Sequence, residues 1–128
     1  MFADYCLETY DIHTISNETG FITYKVVDTV CRIYDIYIAP AHRSKYNASI
    51  LGKKVQISAL DKGANCLLSQ VSETQRDYKH ALDIQCTFGF TIIDVRLDSA
   101  GKVEYLLHKD LTSLKNFEHT TQGTVNGR

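Results

Sequence analysis

A basic loop at residues 37–49 contains the residues of this sequence that best suit binding chemistry. It reads YIAPAHRSKYNAS and runs from an apolar, β-rich segment into what is predicted to be the first turn of a helix. Backbone N–H groups at the start of a helix bind phosphate, and a nearby arginine or lysine adds charge. Phosphate-binding loops usually contain glycines, and this loop has none. From its residues alone, the loop is an intact phosphate site, an altered one, or a loop with solvated basic side chains.

The cysteines and histidines do not suggest a metal site or a nucleophile. Cys6, Cys31, Cys66 and Cys86 form no CxxC pair and have no zinc-type spacing with histidine. No Ser-His-Asp or Cys-His set can be defended from the spacing. We therefore expect reduced, mostly buried thiols and no bound metal.

The composition is that of one ordinary globular domain. The chain has 128 residues, of which 44% are hydrophobic and 23% charged. A net charge of −1 argues against bulk attraction to nucleic acid or to an anionic membrane. The first residues do not have the pattern of a signal peptide, and no apolar stretch approaches the ~18 residues of a membrane span. These features are typical of a cytoplasmic protein.

The hydrophobic pattern predicts an N-terminal β-meander followed by a crossover. Alternating residues at 4–15, 21–27 and 30–39 predict three antiparallel strands. A helix, a strand and a second helix follow, and strand–helix–strand order predicts parallel strands joined by a right-handed crossover. A hairpin ends a single domain that spans residues 1–111, and the polar tail at 112–128 is expected to be flexible. The predicted later elements are the helix 47–64, the strand 65–71, the helix 74–88 and the hairpin strands 90–97 and 103–111.

Two short motifs in this element order resemble the GNAT superfamily of acyl-CoA-dependent N-acetyltransferases. One is Arg43-x-x-Tyr46-x-Ala48, before the first long helix, and the other is Gly89-Phe90, after the second. The resemblance covers roughly residues 20–111. It implies an α+β fold with a mixed sheet, in which the parallel strands of the central crossover splay apart. The family's loop has a glycine where Tyr46 stands, so this loop is an altered version of the pattern.

The resemblance also implies a site for acetyl-CoA or coenzyme A. The pyrophosphate would lie on backbone N–H groups of the loop, with charge from Arg43. A strand N–H near Ile38 or Ala39 would polarise the thioester carbonyl. The loop residues that would hold the cofactor are Arg43, Ser44, Lys45, Tyr46, Asn47 and Ala48.

Asp35 and Glu73 match places where the family often holds a carboxylate or a water-binding group, so each is a candidate general base. The alternative for Asp35 is a polar residue hydrogen-bonded within the sheet, and for Glu73 a carboxylate beside a helix start. Gln85 stands where a tyrosine acid is common and can donate a hydrogen bond but no proton. Tyr78 could replace that acid from another turn, although aromatic packing is its alternative role.

The acceptor side is expected to be truncated, and so either open or completed by another chain, because only the turn at residues 16–20 separates the first two strands, where family members usually have helices. The favoured hypothesis is an N-acyltransferase that modifies an amine of a protein, a peptide or a small molecule. The alternative is a catalytically inactive module that binds a protein partner, for example a phage-type accessory or virion protein. An unrelated α+β binding domain is a third reading. The bare sheet edge near the first two strands also predicts a homodimer.

Overall fold

The computed structural model of the protein describes residues 1–113. Six strands form one mixed sheet in the order β1-β2-β3-β4-β6-β5. The strands β1 to β6 are His13–Asn17, Gly20–Val27, Val30–Ile38, Cys66–Ser72, Thr91–Leu97 and Val103–Asp110. The helices α1 to α3 are Phe2–Tyr10, Lys45–Asp61 and Tyr78–Thr87, and a short 3-10 turn, Pro40–His42, precedes α2. The tail predicted at 112–128 lies outside the described residues, apart from its first two.

The predicted meander is confirmed, but its first strand begins later than the pattern indicated. Strand β2 pairs antiparallel with both β1 and β3. Residues 2–10, predicted to be largely strand, are helical instead. The segment has no β-branched residue before Thr9, and Asp4 lies in the first turn, where a carboxylate stabilises a helix. Asp11 has a φ of 57°, so the helix ends there and β1 starts at His13.

Strands β3 and β4 are parallel and splay apart, as the resemblance implied. Their register runs over Val30–Cys66, Cys31–Leu67 and Arg32–Leu68 and then stops. Strand β3 nevertheless continues to Ile38, paired with β2, and β4 continues to Ser72, paired with β6. A gap therefore opens between the carboxyl ends of the two central strands, and the predicted fold class is confirmed.

The two helices after β3 are bounded by residues that the pattern only partly identified. Helix α2 starts two residues earlier than predicted, because Ser44 caps it: the Asn47 N–H donates to Ser44 Oγ at 3.2 Å. It ends before Gly63, as expected, with the glycine at a φ of 87°. Helix α3 is shorter than the predicted 74–88. Asp77 has a left-handed φ of 62°, which a helix cannot contain, so α3 starts at Tyr78.

The core lies between the sheet and the helices α2 and α3, and it contains one of the cysteines. Cys31 is buried, and burial raises the pKa of its thiol to about 12, so this thiol stays protonated and inert. Cys66 is half-buried, whereas Cys86 is exposed, contrary to the expectation that most of the thiols are buried. No helix within residues 1–113 is both long and apolar enough to cross a bilayer.

Lys109 fixes the carboxyl end of α3 to the sheet. Its Nζ donates to the Phe88 carbonyl at 2.8 Å and lies 3.8 Å from the centroid of the Phe88 ring. Phe88 is the residue that ends α3, where a cation also meets the negative end of the helix dipole. Burial, together with the nearby Lys53, lowers the pKa of Lys109.

Replacing Lys109 with Met is expected to lower the free energy of unfolding by about 1.5 kcal/mol, since a hydrogen bond to a charged group and a cation–π contact are lost. Urea denaturation measures the change. Lys54→Met, at an exposed position of α2, is the matched control and should change stability little. Equal effects of the two substitutions would show that Lys109 does not anchor α3.

Candidate functional site

A cavity of about 410 Å³ occupies the gap between β3 and β4. It exists because the pairing of the two strands stops after Arg32 and Leu68, while both strands continue. Strand β3 contributes Ile36 and Ile38 to its walls, β4 contributes Ser69, and the remainder comes from the basic loop and from α3. The cavity is therefore a passage through the sheet layer, bounded by the elements that the crossover brings together.

The backbone of β3 turns the N–H groups of Ile36 and Ile38 toward this passage. The Ala39 N–H donates to the Thr19 carbonyl at 2.8 Å, so it faces β2 and is not available. Backbone groups alternate in direction along an antiparallel pair, which turns the N–H and carbonyl of Ile38 toward the gap. The Ile38 carbonyl indeed accepts from Arg43 Nε at 2.9 Å on that side. Of the two donors suggested by the sequence, Ile38 is the one placed to act.

A β-bulge in β3 positions Asp35. Tyr24 pairs with Ile33 and Thr23 with Asp35, so Tyr34 is an extra residue in β3. The buried Thr23 hydroxyl donates to Asp35 Oδ2 at 2.8 Å and accepts from the Asp35 N–H at 3.0 Å. Asp35 and Tyr34 both line the cavity. The alternative role foreseen for Asp35, a hydrogen bond within the sheet, is thus present, and it also fixes the carboxylate beside the cavity.

The basic loop keeps backbone donors at the start of a helix although it contains no glycine. No residue from 43 to 48 has a positive φ, so none of these positions requires glycine for its backbone conformation. The Tyr46 side chain is 74% exposed and points away from the cavity. At the first two positions of α2, the N–H groups of Lys45 and Tyr46 have no acceptor within the helix, and Ser44 at its N-cap lines the cavity. The loop is therefore altered in sequence but retains donors at a helix N-terminus.

Arg43 bridges the mouth of the cavity. Besides its bond to the Ile38 carbonyl, its Nη1 lies 3.4 Å from Asp77 Oδ2, the residue before α3. The Arg43 side chain is 42% exposed, and at this distance and exposure the ion pair is weak. An anion bound at the start of α2 could therefore recruit the guanidinium from Asp77.

Gln85 is a buried polar residue of the cavity whose carbonyl oxygen lacks a partner. It is 7% exposed, and its Oε1 accepts no hydrogen bond within residues 1–113. Such an unpaired group destabilises the folded state by about 1–3 kcal/mol. Gln56 Oε1 is also buried and unpaired, but Gln56 lines an adjoining cavity of about 410 Å³ between the sheet, α2 and α3 and does not line the first. Gln85 lines both cavities.

Glu73 and Tyr78, the other two candidate catalytic residues, lie in a cluster beside the cavity and do not line it. The Tyr105 hydroxyl donates to Glu73 Oε1 at 2.9 Å, and this bond raises the pKa of Tyr105. The rings of Tyr78 and Tyr105 stack with centroids 6.4 Å apart. The aromatic packing foreseen as an alternative for Tyr78 is therefore what the structure shows.

Aromatic residues that the sequence analysis did not select also surround the cavity, and one of them meets Arg43: the Arg43 Cζ lies 6.0 Å from the centroid of the Tyr37 ring. Phe21, Tyr34 and Tyr37 line the cavity, and the Phe21 and Tyr37 rings lie 5.6 Å apart. Phe2 of α1 packs on Phe21 at 5.5 Å, so a helix does cover part of the side that was expected to be open or completed by another chain. In the sequence these residues look like ordinary strand positions, and only the bulge and the gap reveal their role. No cluster of three or more metal-ligating side chains occurs within residues 1–113.

Comparisons with known proteins bear on the fold. No protein-family model matches the sequence, and no curated protein sequence matches it. Among solved structures, a protein from Desulfovibrio desulfuricans assigned to the GNAT family of acetyltransferases has a TM-score of 0.71 at 16% identity, over 85% of this chain and 76% of that one.

Two further solved structures show the same likeness. An aminoglycoside 6'-N-acetyltransferase complexed with coenzyme A has a TM-score of 0.64 at 12% identity, over 77% of this chain and 71% of that one. The ribosomal-protein-S18-alanine N-acetyltransferase of Escherichia coli has a TM-score of 0.61 at 14% identity, over 79% of this chain and 70% of that one. Together with the splayed central strands, this similarity shows that the chain has the fold of the GNAT superfamily of N-acetyltransferases.

Proposed function

We propose that the protein is an acyl-CoA-dependent N-acyltransferase that transfers an acyl group, acetyl in the simplest case, to an amine. The observation that carries this proposal is the passage between β3 and β4, whose lining contains both a basic helix start and a carboxylate. We assign Arg43 and Ser44, at the start of α2, to a donor mouth, and Asp35 with Phe21 and Tyr34 to an acceptor mouth. A donor that carries phosphate suits the first mouth, and a cationic acceptor suits the second.

The donor mouth fits coenzyme A in its charge and its hydrogen bonding. The N-terminal N–H groups of α2 and the Arg43 guanidinium favour a pyrophosphate. The unpaired Oε1 of Gln85 would accept a hydrogen bond from an amide N–H, which the pantetheine arm contains. One solved structure of the same fold is complexed with coenzyme A. When bound, acyl-CoA supplies the acyl group as an activated thioester.

Three groups of the chain would each assist one step of the acyl transfer. The Ile38 N–H faces the passage and would stabilise negative charge on the acyl oxygen. The Asp35 carboxylate would accept a proton from the acceptor ammonium, directly or through water, because only a neutral amine is nucleophilic. Gln85 would donate a hydrogen bond to the departing sulfur without giving up a proton, so the thiolate would leave without a side-chain acid.

The acceptor mouth favours a cationic amine. Tyr34 and Tyr37 line the cavity with Asp35, but each ring already has a guanidinium near it: Arg32 Cζ lies 5.7 Å from the Tyr34 centroid and Arg43 Cζ lies 6.0 Å from the Tyr37 centroid. The Asp35 carboxylate is therefore the group that would favour an ammonium. The acceptor amine can belong to a small molecule, a peptide or a protein, and helix α1 limits the space on one side through the contact of Phe2 with Phe21.

The proposal is tested by measuring release of the coenzyme A thiol from acetyl-CoA in the presence of amine panels, namely aminoglycosides, polyamines and peptides with free N-termini. We expect amine-dependent thiol release and an acetylated product detected by mass spectrometry. Failure to bind acetyl-CoA at millimolar concentration would contradict the proposal.

A second candidate function is a non-catalytic module of the same fold that binds a protein. Two observations favour it: Tyr46 is 74% exposed, as an interface aromatic would be, and Gln85 replaces the usual tyrosine acid. Coenzyme A binding with no transfer to any amine, and capture of a partner that depends on Tyr46, would support this candidate.

Replacing Gln85 with Leu is expected to stabilise the protein by about 1 kcal/mol, because a buried amide oxygen without a hydrogen-bond partner is removed. The same substitution should weaken coenzyme A binding about fivefold, since the cofactor loses a partner worth about 1 kcal/mol. Thermal unfolding and calorimetric titration measure the two effects. Gln56→Leu is the matched control, because it removes the other unpaired amide oxygen outside the passage and should stabilise without changing coenzyme A binding. Equal coenzyme A affinity in the Gln85 variant and the wild type would show that Gln85 does not contact the cofactor.

A further inference from the structure

Strand β5 is an exposed apolar edge of the sheet. It pairs with β6 on one side, and no strand within residues 1–113 pairs with its other side. All seven of its residues are exposed, and Ile93, Val95 and Leu97 retain 53%, 56% and 69% of their accessible surface. Exposed apolar edge strands present unpaired backbone groups that pair readily with another chain. This edge is the most apolar strand surface that the described residues expose.

The opposite edge of the sheet, where the sequence analysis placed a homodimer contact, is less suited to association. Strand β1 contributes no large exposed apolar side chain, and four of its five residues are half-buried. Helix α1 lies directly before it in the chain and contacts it. The exposed apolar surface is thus at the β5 edge.

We propose that two copies of this chain associate through antiparallel pairing of their β5 strands about a two-fold axis at Val95. In that register Val95 lies opposite its own copy, Ile93 lies opposite Leu97, and Asp94 lies opposite Arg96. Every apolar residue from 93 to 97 then meets an apolar residue. The two six-stranded sheets would form one continuous sheet, joined by a self-complementary contact as two-fold symmetry requires.

The charges of Asp94 and Arg96 favour this register over the registers centred on either of those residues. Pairing centred on Val95 places each Asp94 carboxylate opposite an Arg96 guanidinium, twice per dimer, whereas centring on Asp94 would place two carboxylates opposite each other. Centring on Arg96 would likewise oppose two guanidinium groups. Opposite charges directly across an antiparallel pair stabilise it and like charges destabilise it. Within its own chain Arg96 makes an exposed ion pair of 3.4 Å with Glu104, which is weak enough to be exchanged or extended.

The β-bulge at Ile93 limits the length of the contact. The register of β5 with β6 shifts between Ile92 and Asp94, so Ile93 is the extra residue. Bulges twist an edge and so restrict pairing beyond them. The regular part of the contact is therefore Asp94 to Arg96 of each chain, with the two Ile93–Leu97 pairs at its ends, a small interface that should give a weak, concentration-dependent dimer.

The test measures mass in solution by sedimentation equilibrium over a dilution series, using the full chain. The wild type is expected to show a reversible monomer–dimer equilibrium. Val95→Lys should abolish the dimer. Ile57→Lys, at an equally exposed position of α2 (56%), should leave it unchanged. A monomeric wild type at the highest soluble concentration would overturn the proposal, as would loss of the dimer in the Ile57 variant alone.

Charge reversal and cross-linking test the register. Asp94→Arg and Arg96→Asp are each expected to weaken the dimer at least tenfold, and the double variant to restore it; no restoration would overturn this register.

Val95→Cys should form an intermolecular disulfide under mild oxidation, since opposed Cα atoms in an antiparallel pair lie about 4.5–5.5 Å apart. Leu97→Cys should not, because the two copies of that position are four residues out of register. Peptide mapping identifies the linked thiols, and the reverse pattern would exclude a two-fold axis at Val95.

Discussion

Replacing Asp35 with Asn is expected to lower kcat/KM for acyl transfer by about 10²–10⁴-fold, the usual contribution of a positioned general base. Asn keeps the size of the side chain and an oxygen that can accept from the Thr23 hydroxyl, so the bulge and the fold should be retained. Coenzyme A affinity should not change, because Asp35 lies at the acceptor mouth. Steady-state kinetics, with the melting temperature as a check on folding, measure the effect.

Glu73→Gln is the control for this substitution. Glu73 is the other carboxylate that the sequence suggested as a base, but it accepts from Tyr105 and does not line the passage. Its kcat/KM should stay within about twofold of the wild type, in line with a surface substitution away from the site. Loss of activity in the Glu73 variant with a fully active Asp35 variant would reverse the two assignments.

Replacing Arg43 with Ala is expected to weaken coenzyme A binding by about 1.5–3 kcal/mol, or about 10- to 150-fold, the range for hydrogen bonds to charged groups. The guanidinium stands at the donor mouth, held by the Ile38 carbonyl and a weak ion pair with Asp77. Calorimetric titration measures the change. Asp77→Asn tests whether Arg43 leaves Asp77 to bind the pyrophosphate. Asparagine tolerates the left-handed φ of 62° and removes the carboxylate that competes for Arg43, so coenzyme A binding should be equal or tighter.

Tyr46→Gly, at the position of the family's glycine, should leave coenzyme A binding unchanged or improve it, because the Tyr46 side chain points to solvent and its φ is negative. A large loss of coenzyme A affinity in this variant would identify Tyr46 as a ligand contact and contradict the proposed loop geometry. Unchanged coenzyme A binding with loss of a protein partner would favour the module hypothesis.

Local patterns were sufficient to predict most of the fold. The meander, the crossover and the hairpin follow from alternation, helical spacing and chain order, which reflect short-range chemistry. The helix at 2–10 was misread because its mixed apolar and polar residues satisfy a strand pattern as well, and its packing partner, Phe21, lies elsewhere in the chain. Similarly, the left-handed φ of Asp77 shortened α3 without any glycine or proline to signal it.

The site itself was only partly predictable, because it depends on where pairing stops. Arg43, Ser44 and Asp35 were identified as candidates and do line the passage. The choice between Ile38 and Ala39 as the donor depends on the direction in which each N–H points, which the structure shows. The position of Glu73 and Tyr78 outside the passage follows from their contacts with Tyr105. The burial of Gln85 without a partner for its oxygen arises from the packing of α3 against the gap, which no local pattern encodes.

A crystal structure of the protein with coenzyme A would show whether the passage between β3 and β4 binds acyl-CoA. We expect the pyrophosphate at the N-terminus of α2 within reach of Arg43, the pantetheine arm between Ile38 and Gln85, and the thiol directed toward Asp35. Coenzyme A bound elsewhere, or a passage that stays empty at saturating coenzyme A while the protein remains folded, would contradict this expectation.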